Sequence, residues 1–122
     1  MKYVLLDTNF LMIPGEFKVD IFTELDRLGY TPVILSCVVH ELQKIASGKG
    51  KASANARIGL QLLSVIRPHA VPAKEPADKA LLEHAGQNEC AIATNDVALI
   101  EKAKGKGLHI LRLRQRKYVV QE

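Results

Sequence analysis

Short apolar runs alternate with stripes at helical spacing along the whole chain, and this alternation limits the fold more than any other feature. Tyr3 to Leu6 is an apolar run that ends on a carboxylate, Asp7. Phe17, Ile21, Leu25 and Leu28 then recur at helical spacing and meet Gly29, a common helix stop. Val33 to Leu35 supplies a second strand. Ser36 is placed to cap a helix striped by Val38, Leu42 and Ile45, which the Gly48-Lys49-Gly50 loop ends. A third helix is predicted from about Ala52 to Val65, with Ile58, Leu62 and Val65 inward, followed by a weak strand over Ile66 to Val71 that Pro68 interrupts. Asp78 opens a helix carrying Leu81, Leu82 and Ala85, and Cys90 to Ala93 is a fourth buried strand. Asp96 starts a helix that runs to about Lys104. Leu108 to Leu113 makes a fifth strand, and Tyr118 to Val120 can add a sixth.

Strands that alternate with helices require crossover connections, so the fold class is α/β: a mainly parallel sheet of five strands, or six, with helices on both faces. At 122 residues, without a Pro/Gly/Ser-rich linker, residues 1–122 read as a single domain. Hydrophobic residues make up 48% of the chain, dominated by aliphatics with no Trp, which suits aliphatic helices packed on strands. The longest nearly apolar run, Pro32 to Val39, is far below the roughly 20 residues of a membrane span. The apolar start before Asp7 is too short for a signal peptide, so a cytoplasmic protein is expected. Cys37 and Cys90 sit in apolar surroundings without zinc spacing and read as buried free thiols.

The formal charge of +4 is unevenly placed. From Glu101 to Lys117 there are seven basic side chains and one acid. Lys102, Lys104, Lys106, Arg112, Arg114 and Arg116 in that segment are candidates for binding a polyanion, and on a strand Arg112, Arg114 and Arg116 would share one face. A second basic patch comprises Lys44, Lys49, Lys51 and Arg57. An ordinary solvated face explains such clusters equally well on charge alone.

Active sites of open parallel sheets gather beyond the carboxyl ends of the strands, where strand order reverses. Four acids can reach that end: Asp7 after the first strand, Glu41 in the helix after the second, Asp78 in the first turn of a helix leading to the fourth, and Asp96 three residues past the fourth. Each has a plain structural use as well. Asp78 and Asp96 suit helix N-termini, Asp7 an Asx turn, and Glu41 a solvated helix face. Separate uses do not explain why four carboxylates share one end of a sheet, where mutual repulsion is costly without a cation. A set of hard oxygen ligands without His or Cys selects Mg²⁺ or Mn²⁺, and such a site suits phosphodiester hydrolysis. Thr8, Asn9, Thr94 and Asn95 are suited to hold the carboxylates by hydrogen bonds, although Asn and Thr are also common in turns.

The strings Leu5-Leu6-Asp7-Thr8-Asn9-Phe10-Leu11 and Ile92-Ala93-Thr94-Asn95-Asp96 resemble the first and last motifs of PIN-domain nucleases. Between them, Val38-Val39-His40-Glu41-Leu42 resembles the family's helical Glu, and Ala77-Asp78-Lys79-Ala80-Leu81-Leu82 the segment bearing its third acid. Ile110-Leu111-Arg112-Leu113-Arg114 is similar to the last strand of stand-alone members, especially the ribosomal-RNA-processing branch; VapC-type toxins share the pattern. The resemblance implies a three-layer α/β/α sandwich and a Mg²⁺- or Mn²⁺-dependent endoribonuclease acting on single-stranded or structured RNA. It also implies a homodimer in many members and, for the toxin type, an antitoxin protein as partner. The sequence departs from the family at Lys79 and Ala98, where many members carry further acids, so four carboxylates carry over rather than five.

Two other readings compete. A phosphatase of the haloacid dehalogenase type needs a second Asp two residues after the first, and position 9 is Asn. A non-catalytic PIN-like scaffold would bind RNA through the basic C-terminal segment while its acids do nothing. His40 neighbours Glu41 but points about 100° away on a helix, which favours a surface role. His69, His84 and His109 show no metal or catalytic spacing, and neither a phosphate-binding Gly-rich loop nor a Ser nucleophile elbow occurs.

Overall fold

The computed structural model describes residues 1–122 and contains one six-stranded sheet. The strands are β1 (Lys2–Leu6), β2 (Tyr30–Leu35), β3 (His69–Val71), β4 (Ala91–Ala93), β5 (Ile110–Arg114) and β6 (Tyr118–Gln121). The helices are α1 (Thr8–Leu11), α2 (Ile13–Phe17), α3 (Ile21–Arg27), α4 (Ser36–Ala46), α5 (Lys51–Ile66), α6 (Ala77–Asn88) and α7 (Val97–Gly105). Strand order is β3-β2-β1-β4-β5-β6; all neighbours run parallel except β5 and β6, so the sixth strand is present and closes the sheet as an antiparallel edge. The architecture is the three-layer α/β/α sandwich.

From β1 the chain builds outward to β2 and β3, then crosses back to β4 on the other side of β1. The order therefore reverses between β1 and β4. Right-handed crossovers put the connections that move in opposite directions, such as α3 and α7, on opposite faces. Val4, Leu5 and Leu6 of β1 and Ala91, Ile92 and Ala93 of β4 are all buried, as expected where helices cover both faces of a central pair. Cys37 and Cys90 are free and buried, and burial pushes both thiols up.

Three local expectations are corrected. The stripe from Phe17 to Leu28 is not one helix: Phe17 ends α2, Lys18 takes a left-handed conformation with φ 57°, and α3 starts after Asp20, whose carboxylate accepts from the Thr23 backbone N–H. Ser36 is the first residue of α4 rather than its cap. Its hydroxyl turns instead to Ala73, donating to the carbonyl at 3.0 Å and accepting from the N–H at 2.9 Å, which pins the loop before α6 to the end of β2.

The third correction concerns α5. Ile58 and Val65 are 38% and 76% exposed, and the buried stripe is Ser53, Ala56 and Gly59. Proximity explains the preference for small residues, because a Cβ on Gly59 would lie 2.5 Å from the carbonyl oxygen of Leu11, a backbone atom that cannot swing aside. Gly59→Ala is accordingly expected to destabilise the fold by about 1–3 kcal/mol despite the better helix propensity of Ala, read as a lower urea midpoint at unchanged slope. An unchanged or higher midpoint would show that α5 can move off α1 freely.

Candidate active site

Asp7 sits at the strand-order reversal. Its backbone N–H continues the β1–β4 ladder by donating to the Ala93 carbonyl at 3.1 Å, and its own carbonyl accepts from Leu11 N–H to start α1. The side chain caps that helix, with Oδ1 accepting from Thr8 N–H at 2.8 Å, while Oδ2 accepts from the Thr94 hydroxyl at 2.7 Å. The residue is 5% exposed. No Lys, Arg or His pairs with it.

A carboxylate stripped of water and left without a cation resists ionisation. Burial is the main reason the Asp7 carboxyl is pushed up to about 6; the hydrogen bonds from Thr94 and Thr8 oppose the rise, and the charges of Asp78 and Glu41 add to it. The last two contributions place Asp78 and Glu41 within electrostatic reach of Asp7. Both are exposed, Glu41 on α4 and Asp78 in the first turn of α6, and neither is in an ion pair.

Asp96 reaches the same place through Thr94. The Thr94 hydroxyl that donates to Asp7 also accepts from Asp96 N–H at 3.0 Å, so one fully buried side chain joins the two acids. Asp96 caps α7, its Oδ1 accepting from Ala98 and Leu99 N–H at 3.0 and 3.4 Å, and its Oδ2 is left without a protein partner. Capping and availability to a ligand are therefore compatible in one residue. In the conformations seen, no three acids close into a group that could grip an ion between them.

Of the four supporting residues, Thr94 alone sends its side chain to a carboxylate. Thr8 acts through its backbone N–H, and its hydroxyl is buried without a partner. Asn9 accepts from Asn95 N–H at 3.3 Å. Asn95 exchanges hydrogen bonds with Leu113, accepting from its N–H at 2.8 Å and donating to its carbonyl at 3.4 Å. These two asparagines fasten the β4 terminus to the α1 start and to β5, holding the platform rather than the acids.

The basic segment also divides. Lys104, Arg112 and Arg114 converge on Glu122, so three of the six proposed RNA contacts already meet an anion. Arg116 lies beyond the end of β5, in the hairpin turn, and does not share the face of Arg112 and Arg114. Lys102 and Lys106 line a groove with Asp78 and are unpaired. Lys44 pairs with Glu75 in the second patch. Glu122 escaped the sequence reading because it reaches Arg112 and Arg114 only across the β5–β6 hairpin, whose second strand rested on a three-residue apolar run.

None of the surface cavities is lined by Asp7 or Asp96, while Asp78 borders the groove that holds Lys102 and Lys106. A parallel sheet with carboxylates at its reversal point has the layout of a hydrolase site, and similarity to known proteins says of which class. The chain belongs to the PIN-like domain family, whose model matches residues 4–116. It is 32% identical over 124 residues to Ribonuclease VapC9 of Archaeoglobus fulgidus, covering 100% of this chain and 90% of the relative. It is also 32% identical over 124 residues to Ribonuclease VapC4 of Methanocaldococcus jannaschii, covering 97% and 95%. Among solved structures, the PIN domain endonuclease Utp24 superposes with a TM-score of 0.81 at 27% identity, over 98% of this chain and 90% of that one. A domain of a functionally unknown protein from M. jannaschii matches at 0.66 and 21% identity, over 93% of this chain and 92% of that one, and shares the fold.

Proposed function

We propose that this chain is a single-domain endoribonuclease in which Asp7, Glu41, Asp78 and Asp96 hold Mg²⁺ or Mn²⁺ and position water for hydrolysis of an RNA phosphodiester. The observation that carries the reading is Asp7, a buried carboxyl with no basic partner that two neighbouring acids disfavour further. A fold keeps such a group when a cation completes it. The donors fit a hard divalent ion: all are carboxylate oxygens, and Oδ2 of Asp96 is free of hydrogen bonds. When bound, the ion supplies charge neutralisation at the phosphate and lowers the pKa of water. The protein's own part is positioning. Thr94 fixes Asp7 relative to Asp96, and the exposed Glu41 and Asp78 can swing toward them to close the set.

RNA as the substrate is supported by the two ribonuclease relatives. Lys102 and Lys106, unpaired beside Asp78, are proposed to steer the strand toward the site. Cytoplasmic location, a homodimer and an antitoxin partner accompany this reading as proposals; no helix is long and apolar enough to cross a membrane. A non-catalytic RNA scaffold would use Asp7 only as the cap of α1 and the partner of Thr94, so metal-dependent cutting separates the two readings. The deciding experiment is cleavage of single-stranded RNA by the wild type with Mn²⁺, with EDTA, and by Asp96→Asn. Mn²⁺-dependent cutting lost in the other two supports the proposal; equal cutting in EDTA overturns the metal site, and no cutting by the wild type under any condition overturns the enzyme reading.

A further inference from the structure

The turn from β5 to β6 is built against the usual preferences of a hairpin. Lys117 N–H closes it on the Arg114 carbonyl at 3.1 Å, and its two central residues, Gln115 and Arg116, have φ of 54° and 57°. Asn-Gly is the ordinary choice there, because a side chain with a Cβ is disfavoured at positive φ. Arg116 is one of five non-glycine residues with positive φ, so its conformation alone assigns it no use; its surroundings do.

The place is informative. β5 runs parallel to β1, so the turn emerges at the carboxyl end of the sheet, where the acids are. Asn95, the residue preceding Asp96, exchanges side-chain hydrogen bonds with the backbone of Leu113, which ties the end of β5 to the active site. The Arg116 guanidinium lies 5.4 Å from the centroid of the Phe17 ring. Together with Lys18, itself left-handed, and Lys117, they border a concavity of about 320 Å³, within the lower range of pockets that hold small molecules, roughly 300–1,000 Å³.

Three cations and two carboxylates line the concavity, which leaves an excess of one positive charge, and of the two acids only Glu24 has a cationic partner, Arg27. Asp20 accepts from the backbone and hydroxyl of Thr23, and Glu24 from Arg27 and the Val119 N–H. Lys18, Arg116 and Lys117 pair with no carboxylate. An aromatic face among free cations is the combination that holds a nucleotide of a single strand, the ring stacking a base and the cations meeting phosphates.

We infer that this concavity is a nucleotide subsite: a base of the bound RNA stacks on Phe17, Arg116 leaves the ring for a phosphate, and Lys18 and Lys117 hold the flanking backbone. The inference rests on RNA being the substrate and adds where, beyond the scissile bond, the strand is gripped. A guanidinium suits the exchange because it is weakly hydrated and stacks on rings as readily as it binds phosphate.

The test is equilibrium binding of the full chain in EDTA, where no cutting is expected, to a fluorescent single-stranded RNA and to the same strand with abasic positions, alongside a separate Mn²⁺ cleavage assay. The wild type should prefer the intact strand at least fivefold. Phe17→Leu should lose that preference while binding the abasic strand like wild type, and Phe17→Tyr should restore it. Gln115→Asn with Arg116→Gly should raise Tm by relieving the turn, yet weaken both strands and reduce the salt slope by about 0.7, the share of one phosphate contact. This combination of higher stability and weaker binding is not what a purely structural Arg116 would give. Wild-type cutting with no preference for the intact strand, or unchanged binding by Phe17→Leu and the turn variant, overturns the subsite and leaves the nuclease reading standing. A wild type that neither binds nor cuts overturns both.

Discussion

Asp7→Asn is expected to abolish cleavage, by at least roughly a hundredfold, while making the metal-free protein more stable. The two effects share one cause. In the folded chain the Asp7 carboxyl titrates at about 6 against an ordinary 3.8, chiefly through burial. Folding therefore favours its protonated form: below the unfolded value of 3.8 the group costs nothing, between 3.8 and about 6 stability falls as pH rises, and above 6 the full penalty is present. Two pKa units correspond to about 3 kcal/mol. Asn has no charge to desolvate, so in EDTA at pH 7.5 the variant should melt higher, by roughly 9–15 °C for a chain of this size. The difference should shrink toward zero near pH 4. Mn²⁺ should raise the wild-type Tm and move the variant's much less, because a ligand stabilises only the state that binds it. An Asn variant that melts below wild type in EDTA at pH 7.5 would mean that Asp7 is already compensated within the protein, and the case for a cation there would fall with it.

What could be read beforehand follows the reach of each signal. The alternation of strands and helices is written in periodicity, and a parallel sheet with α/β crossovers follows from it by geometry, so the layers and the end bearing the acids were legible. Asp7 and Asp96 were legible for the same reason, since each terminates a buried run next to small polar residues. Periodicity was silent where proximity rather than amphipathicity decides. On α5 the apolar residues Ile58 and Val65 point outward because the inward positions face the Leu11 carbonyl, where only Gly59 fits. Lys18 broke a stripe that looked continuous from Phe17 to Leu28, and nothing in its side chain announces a left-handed backbone.

The polar network was legible in composition but not in wiring. Thr8, Asn9, Thr94 and Asn95 all lie in the platform, yet three of them serve it through the backbone or through one another. Which Thr would reach Asp7 depends on a contact between residues 87 apart in sequence, set by the register of β1 against β4. The basic tail behaves similarly. A count of charges cannot reveal that Glu122 folds back over Lys104, Arg112 and Arg114, and so leaves Lys102, Lys106, Arg116 and Lys117 without an ion pair.

Thr94 is the residue on which the wiring converges, and Thr94→Val isolates its hydroxyl, since Val keeps the shape and removes the polar atom. Two partners lose their bond at once: Oδ2 of the buried Asp7 loses its donor and the part-buried Asp96 N–H its acceptor. Stranding the buried Asp7 oxygen, at about 1–3 kcal/mol, predicts a lower urea midpoint at unchanged slope at neutral pH, with a smaller addition from the part-buried Asp96 N–H. The catalytic consequence has a definite sign. The Thr94 hydrogen bond is the largest influence lowering the Asp7 pKa, so without it the carboxyl rises above about 6 and a smaller fraction is ionised at pH 7. At fixed Mn²⁺ the variant should cleave RNA roughly 10- to 100-fold more slowly at pH 7, the usual cost of losing a group that orients a ligand. Part of that loss should return at pH 8.5, because the acid limb of the profile moves upward. Thr94→Ser, which keeps the hydroxyl, should restore both rate and profile. A Val variant that is slow at every pH, with its acid limb unmoved, would reduce Thr94 to a clamp on the Asp96 turn and remove it from control of the Asp7 proton.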